Sequence, residues 1–162
     1  MPPDCSTHAS PHLTWDEIAC HDHDHTAYPG VWKLDRGRFL GLTFEILRDR
    51  IGRPLGVRSG YRTTLYNESL RSQGLQSATD SQHCYGRALD LSPLLQEGEP
   101  LGPLVDQLWA LARTLALPGG LLYGMVGGLG RYSTFIHVDI RPGGFQHLAE
   151  WDDRGQETSR AR

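Results

Sequence analysis

Ser81-Gln82-His83-Cys84-Tyr85-Gly86-Arg87-Ala88-Leu89-Asp90 is the stretch that decides how this chain folds. His83 and Asp90 stand seven positions apart, whereas side chains that meet on one helix face stand three or four apart. The chain must turn between them, and Gly86 tolerates a turn or a close backbone approach. Beyond the turn, Arg87 to Leu91 predicts a short strand with Ala88 and Asp90 on one face and Leu89 and Leu91 on the other. A second strand is predicted downstream in Phe135-Ile136-His137-Val138-Asp139. There His137 and Asp139 share one face, and Ile136, Val138 and Ile140 take the other.

Two imidazoles and a carboxylate, from His83, Asp90 and His137, are a sufficient set of protein ligands for a catalytic zinc, which leaves its fourth position to water. A single histidine in an apolar run is more often a core residue bonded to a carbonyl. His137 alone therefore carries little weight, and the ordered set of three carries much more. Cys84 adjoins His83, but in an extended segment its side chain points away from that of its neighbour. His21-Asp22-His23-Asp24-His25 also alternates metal-binding side chains. It is better read as a solvated loop that picks up metal adventitiously.

The segments S-x-H-x-x-G-x-A-x-D (Ser81 to Asp90) and F-I-H-V-D (Phe135 to Asp139) resemble the zinc D-Ala-D-Ala carboxypeptidase family of peptidoglycan peptidases. Ser59-Gly60-Tyr61-Arg62-Thr63 with Asn67 resembles it as well, as does the opening from His12 to Cys20. The likeness runs from about His12 to Pro142, and its force lies in the order and spacing of motifs that are individually weak. It implies a hedgehog-type fold, one zinc on His83, Asp90 and His137, and a peptidoglycan peptide as partner. Arg62 would bind substrate and stabilise the oxyanion.

Composition sets bounds. A chain of 162 residues is one domain with room for a core, and 19 glycines and 10 prolines call for many turns. Sixteen basic against 19 acidic residues give a formal charge of -3, with no basic excess to favour nucleic acid. No C-x-x-C is present, so Cys5, Cys20 and Cys84 do not form a zinc knuckle, although an oxidising compartment would permit a Cys5–Cys20 disulfide. No apolar run approaches the roughly 20 residues of a membrane span. The start, Met1-Pro2-Pro3-Asp4-Cys5, lacks the basic and apolar regions of a secretory leader. A wall peptidase would then leave by another route, as a phage lytic enzyme does, or follow loss of a leader. A monomer is expected.

Along the chain, residues 1–11 are expected to be a disordered arm, residues 12–150 the domain and residues 151–162 a flexible tail. Thr14 and Glu17 have the spacing of a capping box, which predicts a short helix there. Apolar spacing predicts a helix over Phe39–Ile51, stopped by Gly52 and Pro54, and another over Leu101–Leu117. Leu55 to Ser59 predicts a strand, Leu70 to Asp80 a loop over the site, and Gly119 to Gly130 a strand-turn-strand. That glycine run lacks G-x-x-x-x-G-K-[S/T], so it is not a phosphate loop. The fold class is α+β: a small, mainly antiparallel sheet with two main helices packed against it.

The chemistry expected is metal-assisted amide hydrolysis. Arg62 would offset charge on the oxyanion or clasp a substrate carboxylate, and Ser81 would shape the ligand loop and contact substrate. Several members of the resembled family carry an acidic residue three positions before the last histidine, where this chain has Thr134. Asp139 is the leading substitute as a base, or else it orients His137, and His147 is the next candidate. The alternative class is a zinc-bearing cell-wall-binding module without turnover. The residue at Thr134 favours that module, whereas Arg62 beside three ligand positions favours the enzyme.

Overall fold

The computed structural model describes residues 4–75 and 77–154. Its centre is a five-stranded sheet made of β3 (Leu55–Ser59), β4 (Ala88–Pro93), β5 (Gly128–Arg131), β6 (Ile136–Asp139) and β7 (Ala149–Asp152), in the order β3-β4-β6-β5-β7. All neighbours are antiparallel except β5 and β7. A two-stranded ribbon of β1 (His8–Ser10) and β2 (Leu13–Thr14) stands apart from this sheet. The helices are α1 (Arg38–Ile51), α2 (Thr64–Ser72) and α3 (Leu101–Ala116). The α+β class is therefore as the sequence implies.

The core lies on one face of the sheet. Leu89 and Leu91 of β4, Ile136 and Val138 of β6 and Leu129 of β5 are almost fully buried. Val105, Leu108, Ala112 and Leu115 of α3 close over them, with Leu40, Phe44 and Leu47 of α1 in the same cluster. Each such aliphatic side chain contributes about 1.5–3 kcal/mol by leaving water. Gly52 ends α1 in the left-handed conformation, with φ +69° and its N–H on the carbonyls of Arg48 and Asp49. Phe39 and Leu42 fall off the 40/44/47 stripe and remain exposed, which narrows the apolar face that spacing alone predicted.

Several local expectations are corrected. Thr14 and Glu17 do form the reciprocal capping bonds, with Thr14 N–H donating to Glu17 Oε2 at 2.8 Å and Glu17 N–H to Thr14 Oγ1 at 3.2 Å. They close a turn after β2, because the His21 to His25 run supplies no apolar stripe to extend a helix. Part of the expected arm is structured: β1 lies against Gly41 of α1, and Ser10 Oγ and His12 N–H both donate to Glu45 Oε1 at 2.7 Å. Part of the expected tail is β7, while residues 155–162 lie outside the described residues. Of the glycine-rich run only Gly128–Arg131 is a strand, and residues 121–125 form turns. Helix α2 occupies the start of the predicted loop, opened by the Thr63 hydroxyl, which accepts the Tyr66 N–H. The Cys5–Cys20 disulfide is not formed; the buried Cys20 sulfur accepts the Thr63 N–H at 3.4 Å.

Candidate metal centre

The face of β4 and β6 opposite the core carries the site. Antiparallel register sets Asp90 directly across from His137, and Ala88 across from Asp139. His83 arrives from a single 3-10 turn, Gln82–Tyr85, which ends at Gly86 with φ +61°. A Cβ on Gly86 would lie 2.7 Å from the Trp32 ring, so both conformation and space require glycine. The turn is held from outside as well: Tyr28 Oη donates to the Gly86 carbonyl at 2.7 Å, and Arg36 Nη1 to that of Tyr85 at 2.6 Å.

Three ligand atoms converge. His83 Nε2 lies 3.2 Å from Asp90 Oδ1 and 3.2 Å from His137 Nδ1, and the third edge, His137 Nδ1 to Asp90 Oδ1, is 3.0 Å. The other nitrogens define the tautomers. His83 Nδ1 donates to the Gly60 carbonyl at 2.6 Å, and His137 Nε2 to Asp139 Oδ2 at 2.9 Å. In its neutral form each imidazole therefore turns a lone pair toward the carboxylate oxygen. Three lone pairs so close repel one another unless a cation sits among them. Ligands of a tetrahedral zinc at about 2.0–2.1 Å stand roughly 3.3 Å apart, so the donor set fits that ion in chemistry and in size. All three side chains are buried, and among the described residues this is the group able to hold a metal.

The field agrees. Burial pushes the His83 imidazole down despite the pull of Asp90, which keeps it neutral. Burial would lower His137 too, but the carboxylates of Asp139 and Asp90 outweigh it and raise its pKa to about 9. The site thus calls for positive charge at the His137–Asp90 edge. Burial would raise Asp90; the adjoining imidazoles overcome that and hold its carboxyl far below the usual range. Asp139 is held low as well: burial opposes it, and Arg141 and His137 prevail.

Around these atoms lies a cleft of about 700 Å³. Arg62, buried on its wall, donates through Nε to Ser59 Oγ at 2.9 Å and through Nη2 to Asp90 Oδ2 at 3.1 Å. It thereby turns the other oxygen of Asp90 toward the imidazoles. Arg58, left unpaired with β4 where the register skips from Val57 to Ser59, also faces the cleft, as does Ser81. Asp139 stands behind His137, on the Nε2 side. Both its oxygens are engaged, Oδ1 by Arg141 Nε at 2.8 Å and Oδ2 by Arg141 Nη2 at 2.6 Å and by His137.

Other residues named from the sequence are placed differently. Thr134 contributes its carbonyl to Ser92 Oγ at 2.7 Å and does not line the cleft, and His147 is exposed on the turn before β7. In the His21–His25 run, His21 reaches the cleft rim, His25 pairs with Asp16 and His23 with Asp24, so the run does not converge on one point. Cys84 lies outside the lining.

Sequence reasoning missed Trp151 and Asp153. The Trp151 ring lies 5.1 Å from that of His137, and Asp153 lines the cleft. Gly128 and Gly130 of β5 make that approach feasible. A Cβ on Gly128 would lie 2.3 Å from Asp139 Oδ2, and one on Gly130 would lie 2.5 Å from the Trp151 indole. The G-L-G alternation of β5, small on one face and large on the other, was the available signal.

A lone-pair triangle with an arginine beside it, at the floor of a cleft, is the construction of a hydrolytic metal centre. Residues 11–139 match the family model for Peptidase M15, and the chain belongs to that family. It is a family of zinc metallopeptidases that act on peptidoglycan, and the chain has a buried His/Asp/His group that could hold such a metal. No curated protein and no solved structure matches the chain. No helix among the described residues is long and apolar enough to cross a membrane.

Proposed function

We propose that this protein is a zinc-dependent peptidase that cleaves peptidoglycan stem peptides near their carboxyl end, as a D-Ala-D-Ala carboxypeptidase or an endopeptidase of cross-links. The observation that carries the reading is the convergence of His83 Nε2, Asp90 Oδ1 and His137 Nδ1 beneath a wall bearing Arg62. These three residues hold the zinc. When bound, zinc lowers the pKa of its water to about 7 and polarises the scissile carbonyl.

The chain's own residues do the rest. Arg62, already fixed by Ser59 and Asp90, keeps N–H groups for the oxyanion or a substrate carboxylate. Arg58 on the same cleft adds a second cation, which supports a substrate that ends in a free carboxylate. Ser81 lies beside the substrate path. Asp139 fixes His137 in the tautomer that presents Nδ1, and so acts through the ligand rather than on the reacting atoms. The partner is a peptidoglycan peptide, met by a single copy of the chain.

Digestion of purified muropeptides, followed by mass spectrometry with and without a chelator, tests this reading. Loss of one terminal alanine identifies a carboxypeptidase, and conversion of dimers to monomers an endopeptidase. Either activity should vanish with chelator and return with zinc. Zinc-replete protein that binds muropeptides and releases no product would instead be the non-catalytic wall-binding module.

A further inference from the structure

We propose that Asp153 is the proton acceptor of the hydrolysis, a proposal that rests on the peptidase reading above. Strand β7 runs parallel to β5, and the Asp153 N–H extends the ladder by donating to the Arg131 carbonyl at 2.8 Å. Alternation along β7 then puts Asp153 on the same face as Trp151. That face is the site face, because the Trp151 ring lies 5.1 Å from His137. Asp153 lines the cleft together with His83, Asp90, His137 and Arg62. Its carboxylate and that of Asp90 both act on the Tyr132 phenol, which lies at the edge of the same space.

The other carboxylates are less suited. Asp90 is a ligand. Asp139 is fully buried behind His137 and does not line the cleft. Asp80 lines the cleft but is exposed on a loop. Asp153 is half-buried and directly follows β7, and the bond of its N–H to the Arg131 carbonyl fixes its backbone against β5. It lies beyond the stretch that matches the family model, so its role follows from the packing of β7 and not from the match.

The step balances without a further reactant. As the water oxygen bonds to the scissile carbonyl carbon, one of its protons passes to an Asp153 oxygen. When the C–N bond breaks, that proton passes to the departing nitrogen. The products are a carboxylate and an amine, and Asp153 is again ionised.

The test uses the full chain loaded with zinc. Asp153→Asn should retain one equivalent of zinc and its melting temperature, while kcat falls on the order of a thousandfold with KM little changed. A readout independent of turnover is the affinity of acetohydroxamate, which gives its hydroxyl proton to the same carboxylate. It should fall at least tenfold. Asp153→Glu keeps the charge and should recover part of both, and Asp80→Asn should alter neither. An Asp153→Asn protein with wild-type kcat or unchanged hydroxamate affinity overturns the proposal, as does a loss that appears only in Asp80→Asn. If wild-type protein binds zinc and acetohydroxamate but cleaves no muropeptide, the peptidase reading fails instead, and the hydroxamate comparison still decides on Asp153.

Discussion

The two faces of β4 and β6 contain neighbouring residues with opposite physics. Leu89, Leu91, Ile136 and Val138 face the helices and are held by burial. Asp90, His137 and Asp139, one step along the same strands, are nearly as buried and are held by pairing. The apolar face tolerates loss of a group at a graded cost. The ionic face cannot lose a partner without leaving a charge or a lone pair stranded in low dielectric. With its imidazoles neutral it also presents three converging lone pairs, so a bound cation would complete this face, whereas the other is complete in itself.

The largest expected effect comes from removing that completion. The double variant His83→Ala/His137→Ala should lose stoichiometric zinc, read by metal analysis of dialysed protein. Because a zinc-free site no longer stabilises the fold, its melting temperature should also stop responding to added zinc. One equivalent retained by the double variant would move the site elsewhere, with His21 to His25 the first place to look. On the apolar face, Leu89→Ala should lower stability by about 2–5 kcal/mol in denaturant titration while the folded fraction keeps its zinc. A stable Leu89→Ala protein that loses zinc would show that the two faces are not separable.

That separation was largely visible in the sequence. The period of two in Ala88 to Leu91 and Ile136 to Asp139 assigned both faces, and the period of 3.6 with Gly52 located α1 and α3. What was not visible depends on partners distant in the chain. β7 has one large apolar residue, Trp151, and is a strand because the glycines of β5 leave room for it. α2 has only a short apolar face, Tyr66 and Leu70, and leaves Leu65 exposed; its Thr63 cap and the Asn67 amide, which donates to Ala78 O at 2.9 Å, help hold it in place. Thr14 and Glu17 carried a true local signal, yet a capping box nucleates a helix only if apolar residues follow at helical spacing. Alternation puts Asp139 on the face of His137, as base or as orienting partner, but does not tell which nitrogen of the ring it meets; in the fold it meets Nε2.

Arg62 sits where the ionic face opens to the cleft. Arg62→Lys keeps the charge and loses the planar fork that spans Ser59 and Asp90. It should lower kcat on the order of a hundredfold or more, with zinc content normal. Wild-type turnover by Arg62→Ala would reduce Arg62 to a structural partner of Asp90.

The smallest effect is expected one layer further back, at Asp139. Its two oxygens receive four donors: Oδ2 takes His137 Nε2 and Arg141 Nη2, and Oδ1 takes the Arg141 backbone N–H and Nε. An asparagine amide has only one oxygen to offer. If that oxygen faces His137, the NH₂ group confronts the Arg141 donors. If it faces Arg141, the NH₂ favours a His137 tautomer protonated on Nδ1, the atom that should carry the ligand lone pair. Either outcome weakens the ligand without touching the reacting atoms, so Asp139→Asn should lose about 10–100-fold in zinc affinity. Competition with a chromophoric chelator measures that loss, and activity should return to nearly wild type as zinc is raised to saturation. Activity that stays low at saturating zinc would mean that Asp139 acts on the chemistry directly. Unchanged affinity and full activity without added zinc would show that the ionic face needs no support behind its ligands.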